Sequence, residues 1–215
     1  MGVGGLWAWT IDGTLLKPSR PKGTPALHVS RGAQYRSAVA KYQDLIADED
    51  GLLATTGHAW AFGNGVTSEQ ILAAEHLGRT PEAAATFVLA ALNPSFASQV
   101  AAGDFVVAGL DFAGDAANRA VPTAFKALGV AAVIARSFGH FFLRNAINAG
   151  LPALVVEETA AIKTGDRLRV DVEAHVVANL SSGDRYVVRN LDDEAIAVLR
   201  AGGIIQRVRQ LKPPA

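Results

Sequence analysis

The sequence predicts an α/β fold on a mixed sheet, with parallel strands joined by crossover helices and a β-rich C-terminal part. Three observations predict it. Between residues 104 and 156, short apolar runs alternate with segments of helical spacing, the strand–helix–strand–helix–strand order of a parallel sheet. Beyond residue 165 the apolar period shortens to two, which marks half-buried antiparallel strands. Half of the 215 residues are apolar and 19% are charged, enough for a buried core and too apolar for a disordered chain.

The elements follow in order. Leu6-Trp7-Ala8-Trp9-Thr10-Ile11 reads as a strand and Asp12-Gly13 as a turn. Pro18, Pro21, Gly23 and Pro25 mark a loop. Tyr35, Val39, Tyr42 and Ile46 then fall on one helical face over residues 33–46, and Asp48-Glu49-Asp50-Gly51 ends it. Nothing in residues 1–55 carries recognisable chemistry, so they are expected to be an extension, with the main domain over 56–215.

In that domain, residues 104–110 form an apolar run expected as a buried strand. Residues 121–128 predict a short helix with Gly129 as its cap. Residues 130–135 predict a second strand, 140–148 a helix ending near Gly150, and 151–156 a third strand. In 168–176, Leu168, Val170, Val172, Ala174 and Val176 alternate with Arg169, Asp171, Glu173 and His175, which predicts one antiparallel strand. Ser181-Ser182-Gly183-Asp184 is a turn, after which 185–188 pairs back. Asp192 is placed to cap a last helix over 193–200, and Gly202-Gly203 stops it.

Composition excludes several functions. Lys plus Arg and Asp plus Glu number twenty each, so no basic field draws the chain to nucleic acid or anionic lipid. There is no cysteine, hence no disulfide and no thiolate ligand for zinc or an iron–sulfur cluster. The apolar runs at 83–92 and 130–135 are too short to cross a bilayer. The first residues lack the pattern of a secretory signal, so a cytoplasmic protein is expected. His28, His58, His76, His140 and His175 have no metal-ligand spacing. The glycines of Gly2 to Gly5 lack the strand-to-helix setting of a phosphate loop, and no serine sits in a nucleophile elbow.

Three stretches carry a resemblance. They are Gly103-Asp104-Phe105-Val106-Val107-Ala108-Gly109-Leu110-Asp111-Phe112, Ala127-Leu128-Gly129-Val130-Ala131-Ala132-Val133-Ile134-Ala135-Arg136-Ser137-Phe138, and Phe141-Phe142-Leu143-Arg144-Asn145-Ala146-Ile147-Asn148-Ala149-Gly150-Leu151-Pro152. In order and spacing, with Leu92-Asn93-Pro94-Ser95-Phe96 ahead and the tail from Gly165 to Gly203, they resemble the small subunit of the isopropylmalate isomerase and homoaconitase family. This is the swivelling domain of the aconitase superfamily. The resemblance spans roughly residues 58–210 and implies a swivelling β/β/α fold. It also implies a large partner subunit carrying a 4Fe-4S cluster, none being bound by this chain, and a hydroxy-di- or tricarboxylate substrate dehydrated and rehydrated between the two. The alternative is a catalytically inactive relative that binds a carboxylate or another protein.

The family's Gly-x-Gly-Ser-Ser-Arg-Glu-His signature falls on Ala113-Gly114-Asp115-Ala116-Ala117-Asn118-Arg119-Ala120. Ala116 occupies the position of the basic serine, and a methyl group accepts no proton. Asn118 stands at the arginine position and Arg119 one place later, where it can bind a carboxylate as it opens the next helix. A second motif falls on Gly65-Val66-Thr67-Ser68-Glu69-Gln70-Ile71-Leu72-Ala73, where Thr67 and Glu69 replace two aspartates. A plainer reading makes Thr67 or Ser68 a helix cap. His76-Leu77-Gly78-Arg79-Thr80 lies where the family selects its substrate. The resulting candidates are Asp115, Thr67 and Glu69 for the base, with Arg119, Asn118, Arg79 and Ser68 for substrate.

Overall fold

A computed structural model describes residues 53–114 and 119–211. The strand, turn, loop and helix expected before residue 52, together with Asp115, Ala116, Ala117 and Asn118, lie outside the described residues.

Seven strands form one mixed sheet in the order β4-β3-β2-β1-β5-β6-β7. The central strand β1 (Ala54–Ala61) pairs in parallel with β2 (Phe105–Val107), which continues to β3 (Ala132–Ala135) and β4 (Ala153–Val155). On its other side β1 pairs antiparallel with β5 (Arg167–Asp171), followed by β6 (Val176–Asn179) and β7 (Arg185–Val187). Parallel neighbours need crossovers. The segment from β1 to β2 carries the short helices α1 (Ser68–Ile71), α2 (Pro81–Ala85) and α3 (Phe96–Gln99). Helix α4 (Ala120–Ala127) joins β2 to β3, and α5 (His140–Ala149) joins β3 to β4. Helices α6 (Asp193–Arg200) and α7 (Ile204–Leu211) close the chain.

Strands β2, β3 and β4 are apolar at every position because both faces are covered. All of β2 and β3 is buried. The pleat divides their side chains between two cores. Val106 and Val133 join Phe112, Phe125 and Phe142 under α4 and α5. Phe105, Val107 and Ile134 join Leu168, Val177, Ile196 and Leu199 on the side covered by α6. Leu128 and Gly150 cap α4 and α5, and the left-handed backbone of Gly129 (φ 88°) and Gly150 (φ 75°) turns the chain out of each helix.

Two expectations are corrected. The run 168–176 is not one strand. Asp171, itself buried, accepts the Ala174 amide at 2.8 Å and folds the chain into a tight turn between β5 and β6. His175 therefore sits in that turn with φ 58°, not on a strand's polar face. Alternation persisted through the turn because Val172, Ala174 and Val176 are buried as well. The second correction is an addition: β1, beginning at Ala54, was not foreseen. Its sequence, ATTGHAWA, lacks an apolar run, and Gly57 stands where a Cβ would collide with the Gly103 carbonyl.

Asp104, at the N-terminal edge of β2, ties β1 to β2. Its Oδ1 accepts the His58 amide at 2.8 Å, and its Oδ2 accepts the Trp60 indole at 3.0 Å and the Ala101 amide at 2.9 Å. Burial alone would raise this carboxyl, but the His58 and Ala101 amides and the Trp60 N–H outweigh it and hold it below its ordinary value.

Candidate functional site

Three loops leave the C-terminal ends of β1, β2 and β3, the edge of a parallel sheet at which ligands bind. Backbone hydrogen bonds lace them together. Gly65 N donates to Leu110 O at 2.8 Å, Ala113 N to Val66 O at 2.8 Å, Arg136 N to Gly109 O at 3.0 Å and Gly139 N to Phe112 O at 2.9 Å. Two side chains add to the lacing. Asn64 Oδ1 accepts the Leu110 amide at 2.8 Å and Ser137 Oγ accepts the Asp111 amide at 2.8 Å.

Phe112 is the anchor beneath them. It is fully buried and packs edge-on against Phe138 and Phe142, with ring centroids 6.0 and 5.3 Å away. Its neighbours Asp111 (φ 57°) and Ala113 (φ 54°) both adopt the left-handed conformation, at a cost of about 1–3 kcal/mol each for residues other than glycine. Burial of the ring offsets that strain. The next residue, Gly114, admits no side chain without moving Asp111, because a Cβ there would collide with Asp111 Oδ1.

Arg119 is exposed and stands immediately before α4, at the helix entrance expected for it. Thr67 caps α1: its hydroxyl accepts the Gln70 amide at 3.2 Å while Gln70 Oε1 accepts the Thr67 amide at 3.0 Å. This is a reciprocal capping box. Ser68 is the first residue of the helix, and the Glu69 carboxylate accepts the Ala74 amide at 3.2 and 3.3 Å. Because Ala113 bonds to Val66, the Thr67–Ser68 corner adjoins the loop that leads to Arg119.

Arg79 lies on the segment between α1 and α2. Its guanidinium carbon sits 4.9 Å from the centre of the Phe87 ring, while the His76 ring stacks on Phe87 at 3.8 Å. Helix α2 in turn packs on α4, which joins the supports of Arg79 and Arg119. Asp111, Asn64 and Ser137 were missed as site residues, because their bonds join loops far apart in sequence. The signal available for Asp111 was its place in a short Asp-containing step between a strand and two small residues.

Among the described residues, no three His, Asp or Glu side chains are grouped to hold a metal ion. The chain has no cysteine, so an iron–sulfur cluster does not fit on it. No described helix is long and apolar enough to cross a membrane.

No family model matches the chain. Individual relatives do. It is 39% identical over 160 residues to 3-isopropylmalate dehydratase small subunit 1 of Archaeoglobus fulgidus, covering 74% of this chain and 99% of that one. It is 36% identical over 154 residues to the 3-isopropylmalate dehydratase small subunit of Wolinella succinogenes, covering 71% and 92%. It is 35% identical over 150 residues to the methanogen homoaconitase small subunit of Methanothermobacter thermautotrophicus, covering 69% and 87%. Among solved structures, the 3-isopropylmalate dehydratase of Methanocaldococcus jannaschii superposes with a TM-score of 0.70 at 29% identity, covering 74% of this chain and 95% of that one.

Proposed function

The chain belongs to the family of 3-isopropylmalate dehydratase and homoaconitase small subunits, and from that membership we propose that it is the small subunit of a two-part hydro-lyase. Its substrate is a hydroxy-di- or tricarboxylate, from which water is removed and to which it is returned. The observation that carries the reading is the extent of the match: it runs over 99% of the Archaeoglobus relative. We assign the swivelling domain to the chain from β1 onward, because Ala54 and Thr55 already pair with β5, two residues before the boundary expected from the sequence. The residues before β1 are an extension, in keeping with relatives matched nearly end to end that cover only 71–74% of this chain.

The partner is a large subunit holding a 4Fe-4S cluster on its own cysteines, since this chain has none. Bound there, the cluster supplies Lewis-acid activation of the substrate hydroxyl. This chain's task is to hold the carboxylates and handle the carbon-bound proton. Arg119 and Asn118 bind one carboxylate from the loop before α4, where a guanidinium offers a bidentate fork. Arg79, steadied on Phe87, meets the variable end of the substrate, and Ser68 contributes a hydroxyl at the α1 corner.

The test is co-expression with a cluster-bearing large subunit, followed by assay of the complex for iron and for turnover of 3-isopropylmalate and homoaconitate. Arg119→Ala and Arg79→Ala are each expected to raise KM by about 10- to 100-fold, the loss of one charge-assisted carboxylate contact. An iron-free chain that forms no such complex, or variants with unchanged KM, would refute the reading.

A further inference from the structure

The base itself is missing from its family position, where Ala116 stands. Thr67 and Glu69 already have their oxygens engaged, by the Gln70 and Ala74 amides. Glu157, which follows β4 at the same sheet edge, is paired with Arg189 at 2.9 Å. Asp111 differs from all of these. It is exposed, and its carboxylate meets no hydrogen-bond donor and no cation among the described residues.

The site is built around it nonetheless. Its backbone is left-handed at φ 57°, its amide is fixed by Ser137 Oγ at 2.8 Å, and Phe112 next to it is locked in the core. Gly114 leaves open the space that Oδ1 occupies. Strain and close packing are thus both committed to holding a carboxylate that has no partner among the described residues, four positions after strand β2.

We propose that Asp111 is the general base of this subunit, a carboxylate in place of the serine alkoxide. The assignment rests on the hydro-lyase reading above. In dehydration, the Asp111 carboxylate takes the proton from the carbon beside the hydroxyl-bearing carbon. The C–H electron pair becomes the second bond of the alkene. The C–O bond breaks with its pair on oxygen, and the departing hydroxide takes a proton from solvent to leave as water. In rehydration the Asp111 carboxylic acid returns its proton to carbon.

The experiment uses the full chain reconstituted with its large subunit, with 3-isopropylmalate and homoaconitate as probes. Asp111→Asn keeps the shape and tolerates the left-handed backbone. It is expected to lower kcat by about 10²- to 10⁴-fold, the range for loss of a positioned base, with KM within about threefold. It is also expected to abolish exchange of substrate carbon-bound hydrogen into deuterated water. Gly114→Ala retains the carboxylate but displaces it, and is expected to lower kcat by at least about tenfold with unchanged thermal stability. Full kcat in Asp111→Asn, within an active wild-type background, overturns the assignment while leaving the hydro-lyase reading intact. A wild-type complex that turns over neither probe overturns both.

Discussion

Asp104→Asn removes one charge and one acceptor from a node that feeds three donors, and the geometry sets the cost. Oδ2 serves both Trp60 and Ala101, whereas Oδ1 serves His58. An asparagine therefore places its oxygen toward Trp60 and Ala101 and its NH2 against the His58 amide. One partly buried donor is then unpaired, at about 1–3 kcal/mol, and two charge-assisted bonds weaken to neutral ones, at about 1 kcal/mol each. The sum is about 3–5 kcal/mol, or roughly 6–20 °C in Tm for a domain of this size. The sign with pH follows from the depressed carboxyl of Asp104. Its contribution is complete above the ordinary carboxylate range near pH ~4 and is lost as pH falls through the lower folded value. Urea unfolding of wild type and variant at about pH 7 and about pH 3 measures this directly. A neutral-pH difference below about 0.5 kcal/mol, or one that persists undiminished at about pH 3, would refute the reasoning.

Other expectations concern local structure. Thr67→Ala should cost about 1 kcal/mol through the lost cap, and Thr67→Ala and Glu69→Gln should both keep kcat within about threefold; melts and steady-state kinetics of the complex check this. Asp171→Ala should cost about 1–2 kcal/mol by leaving the Ala174 amide without its acceptor, read from urea midpoints, and a neutral result would mean that the turn between β5 and β6 holds without it.

The legible parts of the fold were those whose residues alone determine them. Strands β2 and β3 are covered on both faces, so they announce themselves as unbroken apolar runs. Asp192 was readable as a cap because a cap is local, and its side chain does accept the Ala195 amide at 2.8 Å. β1 was hidden, since its place is decided by Gly57 against Gly103 and by partners remote in sequence. The turn at Asp171 was hidden for a different reason: its side chains kept the strand period while its backbone reversed. At the candidate site, the position of Arg119 at the entrance to α4 was readable from the sequence. That Asp111 has no partner among the described residues was not, because it depends on which donors the neighbouring loops spend on each other.

The dual pairing of β1 also bears on how the chain acquires its structure. Ala54 to His58 face Asp171 to Arg167, while Ala59 to Ala61 face Phe105 to Val107. The first described strand thus waits for one partner from the middle of the chain and another from near its end. Such distant closures are slow, since the entropy of the intervening loop is lost before either ladder rewards it. During synthesis, β1 leaves the ribosome as a strand with two open edges; β2 closes one, and the other stays open until β5 emerges. A product terminated before Arg167 would retain the parallel half with β1 exposed at its margin, a template for pairing with other chains. For this topology, completeness of translation and resistance to aggregation are the same requirement.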